Sequence, residues 1–130
     1  MRPDAHDRIR ARTRRLEQFC DARARFLEAT APFTRALTAQ ALLGPVADQA
    51  IRVSRNAQRR QHQEVERLFG REFAKLPRAE QTEIVEALLC ASSPSQCEYL
   101  RRSRGNSAAR ARAVMSRTLK SILRDAGVKA

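Results

Sequence analysis

The sequence predicts an all-α protein, an antiparallel bundle of about five to six helices formed by one domain over residues 1–130. Three observations carry that expectation. Only 5% of the residues are aromatic and there is no Trp, whereas sheets favour aromatic and β-branched side chains. Glycine and proline together number nine, too few for the many tight turns of a β protein. The remainder is rich in Ala, Arg, Leu, Glu and Gln, all good helix formers, and its apolar residues recur at helical spacing.

The first helix is expected to start near Asp4, whose carboxylate can cap it. Ile9, Leu16, Phe19, Cys20, Phe26 and Leu27 then form an apolar face, with Arg8, Arg12, Arg15 and Asp21 elsewhere. Pro32 lacks an N–H and should kink or restart the helix, after which Phe33, Ala36, Leu37 and Leu43 continue the stripe. Gly44-Pro45 is a stop followed by a restart. The next helix is expected over 46–69, lined by Val46, Ala50, Val53, Ala57, Val65 and Leu68 and ended by Gly70.

Pro77 and the acids after it open a further helix, with Ile84, Val85, Leu88 and Leu89 as its stripe. Ser92-Ser93-Pro94 breaks it, and a short piece over 95–102 follows. Gly105-Asn106 marks a turn, and Ser107 can cap a last helix over 108–126. Ala111, Met115, Leu119, Ile122 and Ala126 face one way along that helix, and Gly127 signals its end.

The net charge is +12, from 23 Arg and 3 Lys against 14 acids. Twenty-two alanines accompany the arginines, a pairing that genome composition can produce as readily as a nucleic-acid partner. The longest uncharged stretch is the twelve residues Ala36 to Ala47, too short to cross a bilayer as a helix, so no membrane partner is expected. Cys20, Cys90 and Cys97 are odd in number and form no C-x-x-C, which suits reduced thiols in a cytoplasm.

The chemistry-bearing residues are sparse. His6 and His62 are the only histidines, and only His62 with Glu66 has helical metal spacing, with no third ligand. Neither a Gly-rich phosphate loop nor a nucleophile motif occurs. No enzyme activity, metal or cofactor is therefore expected. Phe19, Phe26 and Phe33 are spaced seven and seven. They suit core packing, or the wall of an apolar cavity to which Thr30, Thr34, Gln40 and Tyr99 supply polar groups. Arg110, Arg117 and Arg124 share a face of the last helix, and no acid lies between Glu98 and Asp125. Such clustering suits either a solvated exterior or a phosphate surface.

The order of parts has a likeness. FCDARARFLEATAPFTRAL is followed by a polar helix ending RLFGREFAKLP, then by LLCASSPSQCEYLRRSRGNS and a final AVMSRTLKSIL. This resembles the C-terminal ligand-binding and dimerisation domain of TetR-family transcriptional regulators. Glu98-Tyr99-Leu100-Arg101 before the Gly-Asn-Ser turn is the most telling match. Cys97 stands where the family often has Trp, and Asn106 where an apolar residue is usual.

The resemblance implies a homodimer built on the last two long helices, with Ile84, Leu88, Met115, Leu119 and Ile122 at its interface. It also implies a small apolar effector bound among the middle helices, near Phe19, Phe26, Thr30, Phe33 and Tyr99. The family's helix-turn-helix head has no counterpart in residues 1–15, so DNA contact is implied only through a head outside this chain. Two alternatives accompany this expectation: a basic helical nucleic-acid-binding protein, and a headless partner that pairs with a full-length regulator.

Overall fold

A computed structural model describes residues 2–128 and contains no strand among them. Four long helices make the fold: α1 (Ala5–Leu43), α2 (Ala47–Phe73), α3 (Arg78–Ala91) and α5 (Ala108–Asp125). The short α4 (Pro94–Glu98) and one π turn (Tyr99–Ser103) connect α3 to α5. This is fewer long helices than expected, because Pro32 does not break the first one; Gly70, a second expected stop, does not act as one either.

Pro32 costs a backbone hydrogen bond to the carbonyl of Glu28, yet α1 runs through it for 39 residues, about 58 Å. Pro32 is on the exposed side, while its neighbours Ala31, Thr34 and Arg35 line a recess with Pro94, Ser95 and Glu98. The missing bond therefore falls where solvent can satisfy the carbonyl, and packing on the other side holds the helix together.

Gly70 does not end α2. The helix continues to Phe73, whose ring is 2% exposed and lies 6.2 Å from that of Phe69. Burying a Phe is worth about 1.5–3 kcal/mol, more than the roughly 1 kcal/mol that glycine costs inside a helix.

The caps behave as their residue types dictate. Asp4 accepts from the Asp7 N–H at 2.7 Å, Ser93 from Gln96 at 3.3 Å, and Ser107 from Arg110 at 3.1 Å. Gly127 takes φ +80°, which lets the Val128 N–H reach back to the Leu123 carbonyl at 2.8 Å.

The long helices form a ring in which α1 packs on α2, α2 on α3, α3 on α5 and α5 on α1. Leu16, Cys20, Val65, Phe69, Leu88, Leu119 and Leu123 fill the centre and are almost wholly buried. Leu88, Met115 and Leu119, expected at a dimer interface, are thus part of the chain's own core. The apolar faces of α3 and α5 meet each other and leave those three side chains no surface for a partner. Ile84 and Ile122 are half-buried against the same core.

Beyond this core, α1 and α2 continue as a two-helix arm ending at Gly44-Pro45. Ala50 is the only fully buried residue between 28 and 64. Val46 and Val53, expected on the packed face of α2, are exposed there, as are Phe33, Leu42 and Leu43.

Candidate ligand site

The last helix begins Ser-Ala-Ala-Arg-Ala, and the alanines of that run cannot fill the space that Met115 and Leu119 fill a turn or two later. A groove of about 560 Å³ results. Its floor and walls are Ala24 and Leu27 of α1, Cys97 and Leu100 of the connection, and Ala108, Ala109, Ala111 and Met115 of α5. The volume lies within the roughly 300–1,000 Å³ of small-molecule pockets, and so does the mostly apolar lining.

The connection that closes one side is held by Arg101. Its Nε meets Glu28 Oε1 of α1 at 2.5 Å, and its Nη1 donates to the Asn106 carbonyl at 2.7 Å. The hydrogen bond it donates to Glu28, and then that residue's charge, hold the guanidinium above its ordinary value. The π turn itself is closed by the Arg104 N–H to the Tyr99 carbonyl at 2.9 Å. Burial, and then the charge of Glu28, push the Cys97 thiol up, so the groove wall carries it neutral.

Across the mouth, Asp21 takes Arg25 at 2.5 Å and Arg112 at 3.3 Å. Arg25 is exposed and Arg112 half-exposed, so each pair is worth about 1 kcal/mol or less.

A second recess of about 330 Å³ lies on the other side of α1, along its seam with α2. No residue lines both. Here Arg23, only 8% exposed, donates from Nε to the Ser92 carbonyl at 2.9 Å and holds its guanidinium 5.5 Å above the Phe26 ring. Burial pushes Arg23 down to about 10, so it remains charged at neutral pH.

The residues expected at an effector site are scattered over this geometry. Phe19 is buried edge-on to Phe69 at 6.1 Å, and it shares the seam recess with Phe26, which is half exposed. The Thr30 hydroxyl donates to the Phe26 carbonyl of its own helix at 2.7 Å. Phe33 and Tyr99 are exposed and line none of the larger recesses. The larger groove is made instead of alanines, which periodicity treats as weak core positions. Their signal is the Ala-rich start of α5, where the next core positions along the helix, Met115, Leu119 and Leu123, are large.

The basic faces are open. Arg110, Arg117 and Arg124 on α5, and Arg52, Arg55 and Arg59 on α2, are all exposed. None forms an ion pair with another described residue. His62 and Glu66 are an exposed-to-half-buried pair on α2 at 3.4 Å, and no cluster of three or more metal-binding side chains occurs among the described residues. No helix is long and apolar enough to cross a membrane among the described residues. Comparison with protein-family models, with curated proteins and with solved structures gives no match.

Proposed function

We propose that this chain is a binding module that takes a small, largely apolar molecule in the groove between α1, the α4 connection and the start of α5. The observation that carries this reading is the groove itself: about 560 Å³ of mostly apolar space beside a tightly filled core. Because the groove is bounded by α1 and by the first turns of α5, an occupant can bias how these elements sit against each other. The likeness of the sequence to TetR-family regulators supports placing such a module in a cytoplasmic transcription regulator that works as a homodimer. Leu88, Met115 and Leu119 are used by the chain's own core, so in this reading the dimer contact falls on the exposed apolar side chains Phe26, Phe33 and Val53.

The test is thermal unfolding across a panel of apolar compounds. A ligand that binds only the folded state raises its stability, by about 2.7 kcal/mol at a hundred times its dissociation constant. Ala109 is exposed at the groove wall, so Ala109→Phe blocks the space without touching the core and abolishes the response. A panel in which nothing stabilises the native protein would sink the proposal.

A second reading is favoured by the two arginine faces, on α2 and α5, that carry no ion pairs. A polyanion such as duplex nucleic acid fits them. Contacts with several phosphates would make duplex affinity fall linearly with the logarithm of salt, with a slope near −0.9 per phosphate. Duplex affinity that is unchanged in Arg110→Gln/Arg117→Gln/Arg124→Gln and in Arg52→Gln/Arg55→Gln/Arg59→Gln would remove it.

A further inference from the structure

The charges at the mouth of the groove bear on the class of ligand, an inference that rests on the groove being the binding site. Two acids line the groove, Asp21 and Glu28. Glu28 is held in a two-pronged pair by Arg101, with Nε at 2.5 Å and Nη2 at 3.4 Å. Asp21 is held on its Oδ2 side by Arg25 at 2.5 Å, one guanidinium for its one charge. Arg112 reaches the other oxygen of Asp21 at only 3.3 Å and contributes a second guanidinium to the same single carboxylate. Two acids thus face three arginines, and one positive charge is left over at the mouth.

That surplus charge sits at the edge of a floor made of Ala24, Leu27, Ala111 and Met115. An uncharged oily molecule would cover the floor and leave the charge unanswered. A divalent anion would exceed it and crowd Asp21. We infer that the groove takes an amphiphilic monoanion: an apolar chain or ring system on the floor, with one carboxylate at the mouth paired to Arg112. The half-exposed, longer contact of Arg112 with Asp21 is weak enough to be shared with, or exchanged for, a ligand carboxylate. A planar guanidinium suits a carboxylate in two-pronged geometry.

The experiment compares decanoate with decanol, which share an apolar body and differ in the charged head, by thermal unfolding of the native protein and two variants. In the native protein both stabilise, and decanoate acts at about tenfold lower concentration, as a charge-assisted contact at a half-exposed site allows. In Arg112→Gln the decanoate advantage disappears and the decanol response stays. In Ala109→Phe neither compound acts. Equal potency of decanoate and decanol on the native protein overturns the monoanion inference and leaves the groove as an apolar site. No stabilisation by either compound overturns this inference, whereas the groove reading falls only if the wider apolar panel also fails. A decanoate advantage that survives Arg112→Gln or Ala109→Phe places the carboxylate elsewhere on this basic surface and also overturns the inference.

Discussion

Cys20 and Arg23 lie three residues apart on α1 and answer burial in opposite directions. Cys20 is 1% exposed, and desolvation pushes its thiol above the ordinary value of 9.0 despite a lowering hydrogen bond with Ser116. Its folded-state value is therefore higher than that of the unfolded chain. The stability it contributes is complete below the unfolded value and is lost as pH rises through the folded one. Urea midpoints should fall as pH is raised from about 8 to 9.5, the range in which unfolded thiols ionise. Cys20→Ala should start about 1 kcal/mol lower because a buried sulfur is removed, and should show a shallower alkaline decline. An unchanged slope in the variant would show that another group is responsible. Arg23 is depressed instead, to about 10, so its burial works against folding throughout the neutral range and is relieved only above that value. Its Nε bond to Ser92 and its position over Phe26 are what offset that cost.

At the scale of elements, two glycines with similar sequence signals have opposite structural meanings. Gly70 lies inside α2 with no positive φ, and a Cβ added there meets nothing within 4 Å. Gly70→Ala should raise stability by about 0.5–1 kcal/mol, by lowering the entropy of the unfolded chain and favouring the helix. Gly127 has the same open space but φ +80°, so Gly127→Ala should destabilise by about 1 kcal/mol through backbone strain. Chemical denaturation of the two variants side by side checks both signs, and a stabilising Gly127→Ala would contradict the cap geometry. The seam between the start of α1 and the end of α2 shows why helix ends are hard to read. Arg15 donates to the Leu68 carbonyl at 2.9 Å and pairs with Glu72 at 2.7 Å, so the last turns of α2 are tied to the first turns of α1. Those ties act only once the chain has folded back on itself.

For the whole molecule, a net charge of +12 makes another copy a poor electrostatic partner and any polyanion a good one. The two association modes should therefore respond oppositely to salt. Self-association through the arm should strengthen from low to high ionic strength as repulsion is screened, and Phe33→Asp should weaken it. Duplex binding should weaken over the same range. Sedimentation velocity with and without duplex distinguishes them. Self-association that falls with salt would point to the exposed acids of α3, Glu80, Glu83 and Glu86, meeting an arginine face of a second copy.

Sequence by itself determined the helical class, the caps at Asp4 and Ser107, the turn at Gly44-Pro45 and most of the buried stripe from Leu16 to Leu123. These are local matters: propensity, periodicity and side chains reaching a backbone a few residues away. Only the tertiary structure decided that α1 passes through Pro32 and α2 through Gly70, because packing far along the chain outweighs one lost hydrogen bond or one flexible residue. It also decided that Leu88, Met115 and Leu119 close the chain's own core, and that the larger groove opens beside Ala109 and Ala111 while Phe19 and Phe26 line the smaller seam recess. Periodicity records which side chains are apolar. Whether a given apolar face meets a neighbour, a hollow or water depends on what the other helices bring to that level of the bundle.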